Sequence, residues 1–153
     1  MRLALYQPDI PQNTGTILRL AACFGVPVDV IGPAGFDMSD RNLRRAAMDY
    51  IDHVDLTRHL SWQRFLEARH APGSGHLVLL SSKADLRLPD FQFSDSDTLV
   101  FGRESAGVPA AVREACDAAV AIPMKPPLRS LNVAVAAAIV LGEALRQTGG
   151  YPS

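Results

Sequence analysis

Short apolar runs alternate with segments of helical period along the whole of this 153-residue chain, and that alternation sets its fold class. Leu3-Ala4-Leu5-Tyr6 reads as a short buried strand. Residues 13–24 read as a helix, with Ile17, Leu18, Leu20, Ala21 and Phe24 at helical spacing, Asn13 as its cap and Gly25 as its stop. Residues 26–31 form the next strand, ended by Gly32-Pro33, and Ser39 or Asp40 caps a short helix through Met48. A weaker strand is expected over 53–56 and a helix over 61–70, with Trp62, Phe65 and Leu66 on one face. Residues 76–80 and 98–101 are continuously apolar, as strands covered on both faces are. A short helix over 109–115, a strand over 119–122, a proline-stiffened loop over 123–129 and a long helix over 131–147 complete the chain. The expected fold is therefore α/β, a mostly parallel sheet with helices on both faces, in one domain spanning 1–153.

Composition narrows the class. Apolar residues make up 48%, enough for a real core, and at this length folding hides roughly 70% of the unfolded surface. Fifteen cations face sixteen acids, a formal charge of -1, with a pI near 6.4. That removes the simplest nucleic-acid signature, a domain with pI above about 9, but a local cluster can still grip a polyanion. Only Lys83 and Lys125 are lysines; the other cations are arginines, whose rigid fork suits phosphate.

Cys23 and Cys116 are isolated, no CxxC exists, and His53, His59, His70 and His76 form no HExxH, so no metal site is expected. The apolar N-terminus is too short for a signal peptide, and the longest apolar run, residues 133–141, falls well short of the ~20 residues of a membrane span. A soluble cytoplasmic protein with reduced thiols is expected.

Ligands in such sheets lie beyond the carboxyl ends of the strands. The loops to search are 7–15, 81–83, 102–107 and 123–132. Gly102-Arg103-Glu104-Ser105-Ala106-Gly107 is neither a Walker loop nor GxGxxG, and no GxSxG elbow is present. Kinase, dinucleotide and serine-hydrolase readings lose their support, while a non-catalytic flavodoxin-like binding module stays open.

Three of the loops carry features that have an ordinary explanation singly and not together. Asn13-Thr14-Gly15-Thr16-Ile17-Leu18-Arg19 opens a helix whose free N–H groups attract an anion. Leu99-Val100-Phe101-Gly102-Arg103-Glu104 delivers a turn where Gly102 lets a ligand approach the backbone. Pro126-Pro127-Leu128-Arg129-Ser130-Leu131-Asn132 is a stiff loop in which Ser130 or Asn132 caps the last helix.

In this order the three resemble the motifs of the SPOUT superfamily of RNA methyltransferases: Asn-x-Gly-x-x-x-Arg, then Gly-x-Glu, then Ser-Leu-Asn. The nearer resemblance is to the small bacterial tRNA (cytidine/uridine-34)-2'-O-methyltransferases. Tyr6-Gln7-Pro8-Asp9-Ile10-Pro11-Gln12-Asn13-Thr14-Gly15 looks like that group's opening, and Gly35-Phe36, Leu43-Arg44-Arg45-Ala46 and Asp49-Tyr50 like its middle. The likeness covers nearly the whole chain. Thr16 and the pair Ala134-Val135 depart from it, where relatives often carry Asn or a Ser-Asn pair.

The resemblance implies a C-terminal trefoil knot, a rarity that periodicity would never propose. It implies a homodimer, S-adenosyl-L-methionine as cofactor, and methyl transfer to the ribose 2'-OH of the wobble nucleotide in a tRNA anticodon stem-loop. A sister reading keeps the chemistry and moves it to another tRNA or rRNA site. Cofactor contacts carry over to Leu80, Gly102, Glu104, Ile122 and Ser130, with Leu131 beside them; Glu104 and Asn132 also order the loops and hold the acceptor. The catalytic set is Arg19, Ser130 and Asn132. A guanidinium is a poor base, so Arg19 is read as holding an RNA phosphate and stabilising the developing alkoxide.

Two further expectations come from the residues themselves. Arg41, Arg44 and Arg45 fall at i, i+3 and i+4 on one helix face and, with Lys125 and Arg129, would form an RNA-binding patch. Residues 133–141 are apolar on every side, so that helix is expected to be buried all round, in part by a partner.

Overall fold

The computed structural model describes residues 1–70 and 72–153. Among these residues, seven strands form one sheet: β1 (Arg2–Tyr6), β2 (Val28–Ile31), β3 (Leu56–His59), β4 (Leu77–Leu80), β5 (Leu86–Arg87), β6 (Thr98–Phe101) and β7 (Ala118–Ala121). Their order is β3-β2-β1-β6-β4-β7-β5, and every pairing is parallel. Five helices cover it: α1 (Pro11–Phe24), α2 (Arg41–Ala47), α3 (Trp62–Ala68), α4 (Ala110–Ala115) and α5 (Val133–Thr148).

Side-chain alternation in the strands divides the core into two layers. Leu3, Leu5, Val28, Val30, Leu99 and Phe101 point to one face, where α1 and α5 bring Ile17, Leu18, Ala137, Val140 and Leu141. Ala4, Tyr6, Ile31, Leu79 and Val100 point to the other, where α3 and α4 bring Phe65 and Val112. Both faces of the central strands are therefore apolar, and each fully buried Leu or Phe there stabilises the fold by about 1.5–3 kcal/mol.

Several boundaries differ from the expectation. Helix α1 starts at Pro11, with Ile10 in the cap position and no side-chain cap. Proline suits the first helical position because its missing N–H would have no partner there. Asn13 thus sits inside the first turn, and its side chain is released from capping. The strand expected over 53–56 lies at Leu56–His59, in register with Val28–Ile31, because Met48–His53 winds into 3-10 turns first. The two-residue strand β5 and the 3-10 turn Leu88–Asp90 were not foreseen.

Asp40, not Ser39, caps α2, accepting from the N–H groups of Asn42 and Leu43. Asn132 caps α5, accepting from Ala134 N and Val135 N. Gly25 and Gly149 end α1 and α5 in the left-handed conformation, at φ 65° in both. Helix α5 is buried on one side only. Ala134, Ala137, Val140, Leu141, Ala144 and Leu145 face the core, whereas Val135 and Ile139 are 49% and 42% exposed. The expectation of burial all round is not met by this chain alone.

Candidate active site

The sheet order explains why distant loops meet. Strands β1, β6, β4 and β7 are neighbours and run parallel, so their carboxyl ends share one edge. The segments leaving those ends are 7–15, 102–107, 81–83 and 122–132. Between the last three and Asn13 lies a cavity of about 810 Å³, lined in part by Leu80, Gly102, Glu104, Ile122, Ser130 and Leu131. Ile10, Met124 and Val133 add apolar wall, and Lys83, Arg103 and Arg113 add positive charge.

The 102–107 segment is a tight turn. Arg103 N donates to Gly107 O at 3.0 Å and Gly107 N to Arg103 O at 2.8 Å. A Cβ on Gly102 would lie 2.8 Å from the Gly107 carbonyl carbon, so only glycine closes this turn. The Arg103 guanidinium lies over the Tyr6 ring, 5.6 Å from its centroid, and its Nε donates to Gly107 O.

A chain of polar contacts joins three of the segments. Asp9 N donates to Glu104 Oε2 at 3.1 Å, and Glu104 N donates back to Asp9 Oδ1 at 3.2 Å. Ser105 Oγ donates to Asp9 Oδ2. The Asn13 amide donates to Glu104 Oε1 at 3.4 Å, and Asn132 Nδ2 donates to Asn13 Oδ1 at 2.9 Å. Burial, and then the neighbouring Asp9 carboxyl, push the Glu104 carboxyl above its ordinary range. Contacts with Glu104 and then Ser105 hold Asp9 below its own. Of the two carboxyls, Asp9 is therefore the one that ionises at the lower pH.

All the cofactor-contact residues named from the sequence, Leu80, Gly102, Glu104, Ile122, Ser130 and Leu131, line the cavity, as does Asn132. Lys125 and Arg129 are exposed in the 122–132 segment but off the cavity wall. Arg41, Arg44 and Arg45 are exposed on α2, with Leu43 and Ala47 turned inward. Arg19 is not on the wall either. It projects from α1, donates to Met48 Sδ at 3.2 Å and lies 5.0 Å over the Tyr50 ring. The bridging roles of Asp9 and Asn13 escaped the sequence reading, since their partner Glu104 lies 95 and 91 positions away.

Among the described residues, no three or more His, Cys, Asp or Glu side chains are grouped to hold a metal ion. Among the same residues, no helix is long and apolar enough to cross a membrane.

The family described as SpoU rRNA methylase matches residues 1–142, almost the whole of this arrangement. The chain belongs to the SpoU rRNA methylase family. Two relatives, both named tRNA (cytidine(34)-2'-O)-methyltransferase, illustrate the likeness. The one from Beijerinckia indica subsp. indica is 61% identical over 96% of this chain and 91% of its own length. The one from Escherichia coli K12 is 40% identical over 99% and 96%. A solved structure concerned with the 2-OH methylation of C/U34 on tRNA superposes with a TM-score of 0.89 at 43% identity, over 95% of this chain and 94% of that one. The SpoU methyltransferase AviRb from Streptomyces viridochromogenes, solved with AdoMet, gives 0.86 at 34% identity, over 96% of this chain and 60% of that one.

Proposed function

We propose that this SpoU-family chain transfers a methyl group from S-adenosylmethionine to the ribose 2'-OH of nucleotide 34, cytidine or a modified uridine, in tRNA. The observation that carries the reading is the convergence of Gly102, Glu104, Ile122, Ser130, Leu131 and Asn132 on one cavity at the carboxyl edge of the sheet. The names of the full-length relatives support the nucleotide and the atom.

The cavity fits the cofactor. Its volume of about 810 Å³ lies in the range of small-molecule sites, and its wall combines apolar side chains with backbone groups. Gly102 lets the 102–107 turn close at the pocket wall, because a Cβ there would meet the Gly107 backbone. When bound, S-adenosylmethionine supplies an electrophilic methyl on its sulfonium. Leu80, Ile122 and Leu131 would hold its apolar surface and Ser130 its polar edge. Asn132 and Glu104 order the loops around the acceptor ribose.

Arg19 lies off the wall of its own cavity, so it acts from the RNA side, holding a phosphate and stabilising the alkoxide that develops as the 2'-OH loses its proton. Its seat over Tyr50 lies on the side of α1 that meets α2, so it belongs with Arg41, Arg44 and Arg45 as part of the RNA-facing surface. Lys125 and Arg129 extend that surface to the cavity mouth, and the anticodon stem-loop is the part of tRNA gripped. A tRNA substrate places the enzyme in the cytoplasm.

Two further parts of the reading are structural. The exposed Val135 and Ile139, one turn apart on α5, form an apolar face suited to a second copy, giving a homodimer. The 122–132 segment passes through the loop between β4 and β6 to make a trefoil knot; Gln147 at the far end of α5 bonds Phe93 N and Phe91 O of that loop, which supports the reading.

Calorimetry with S-adenosylmethionine, followed by transfer of labelled methyl to tRNA, tests the proposal. Wild type is expected to bind and transfer, and Gly102→Ala to do neither. No cofactor binding by wild type would sink it.

A further inference from the structure

Resting on the proposed function, we infer that Asp9 is a positioning residue for the cofactor pocket, holding the 102–107 turn in its working shape through Glu104 and Ser105. Asp9 does not line the cavity. It grips residues that border it, by three hydrogen bonds: its N–H to Glu104 Oε2, and its two carboxylate oxygens to Glu104 N and the Ser105 hydroxyl. Bonds in which one partner is ionised are the stronger class, and two of these three end on the Asp9 carboxylate.

The backbone on either side shows how Asp9 is aimed. Gln7, two residues before it, has φ 42°, a left-handed conformation that a side chain bearing a Cβ rarely adopts. That bend turns the chain from β1 across the end of β6, and Gln7 N is fixed by Ile31 O at 2.8 Å. Behind Asp9 stands Gly35. Its N–H donates to Pro8 O at 2.8 Å, and a Cβ there would lie 3.0 Å from Asp9 Cα. Asp9 is thus held between the 102–107 turn and the segment after β2, with little room to withdraw. Strained backbone of this kind persists where the surroundings over-determine it, which is the situation of a residue that fixes a site.

The turn itself is braced from inside by the Arg103–Gly107 pair, and from outside by Asp9, Asn13 and the Arg103 contact with Tyr6. Without the Asp9 carboxylate, Glu104 N and the Ser105 hydroxyl lose their acceptors, and Gly102 and Glu104 are no longer fixed at the pocket wall. The arginines of α1 and α2 stay where they are. Loss of Asp9 therefore weakens the cofactor site and spares tRNA binding.

The experiment compares wild type, Asp9→Ala, Asp9→Asn and Ser105→Ala. Cofactor affinity is read by calorimetry, KM for cofactor and for tRNA by initial rates, tRNA affinity without cofactor by filter binding, and folding by thermal unfolding. Asp9→Ala is expected to raise the cofactor Kd and KM about tenfold or more, as loss of hydrogen bonds to a charged group implies, with tRNA affinity unchanged. Asp9→Asn keeps the acceptor for Glu104 N and should recover part of the loss, and Ser105→Ala should show a smaller loss. Cofactor affinity unchanged in Asp9→Ala overturns the assignment, as does an equal loss of cofactor and tRNA affinity with lowered thermal stability. If Asp9→Ala does not fold, unchanged affinity in both Asp9→Asn and Ser105→Ala overturns it. Wild type that takes up no S-adenosylmethionine overturns the functional reading and the assignment with it, whereas wild-type binding with normal Asp9→Ala binding overturns the assignment alone.

Discussion

Asn132 donates its side-chain amide to Asn13 Oδ1 at 2.9 Å, across 119 positions of sequence. The same side chain caps α5 through its oxygen, on Ala134 N and Val135 N. One residue therefore fixes the start of the last helix and ties it to the first, and its two ends can be tested apart.

Asn132→Asp keeps the capping oxygen and loses the donor. Its melting temperature should match wild type, while single-turnover transfer on saturating tRNA falls about fivefold or more, as loss of a positioning hydrogen bond implies. Asn132→Ala loses both functions and should also lower stability by about 1 kcal/mol. Full transfer by Asn132→Asp would show that the link to Asn13 is dispensable.

Gly15 sits in the contact between α1 and α2. A Cβ there would overlap the carbonyl oxygen of Leu43 and lie 2.8 Å from Ala46 Cβ. Gly15→Ala should cost about 1–3 kcal/mol by forcing the helices apart. Denaturant unfolding measures this, and tRNA affinity should fall too because Arg19 and the α2 arginines move relative to each other. A variant of wild-type stability would mean that α2 yields freely.

The exposed Arg44 and Arg45 are assigned to tRNA phosphates. The double variant Arg44→Ala/Arg45→Ala should reduce the slope of log affinity against log salt by about one to two. Equal slopes for the variant and wild type would remove α2 from the RNA-binding surface.

Hydrogen bonds from Arg146 and Gln147 hold the Glu143 carboxylate down at about 2. A depressed carboxylate adds stability that is complete above its ordinary value near 4.5 and is lost as pH falls toward 2. Thermal unfolding of wild type and Glu143→Gln should therefore differ at pH 6 and converge as the pH drops through that window. Arg146 is exposed and Glu143 only half-buried, so the difference should be small and shrink in salt. A difference that does not change between pH 6 and 2 would contradict it.

The strands and their burial were legible because Leu77–Leu80 and residues 99–101 are apolar throughout, as parallel strands covered on both faces are. The edge strands were harder. Leu56–His59 has one apolar residue in four, and Leu86–Arg87 is too short to leave a pattern. The sequence placed the cavity-lining residues through motif order, since each motif follows a strand whose end faces the site. It could not show that Asn13 is free of capping, because the choice of Ile10 and Pro11 as the helix start is a matter of backbone geometry. It placed Asp9 in the opening motif without its partners, which are brought to it only by the insertion of β6 beside β1. The exposed side of α5 was anticipated only in part: an apolar run states that a face will be covered, not by which chain.

Where the methyl group goes is the most direct measurement. Unmodified tRNA is incubated with the enzyme and labelled S-adenosylmethionine, then digested with nucleases and mapped by mass spectrometry. The label should appear on the ribose 2'-oxygen of nucleotide 34. Label on a base, or on the ribose of any other nucleotide, would contradict the proposed function.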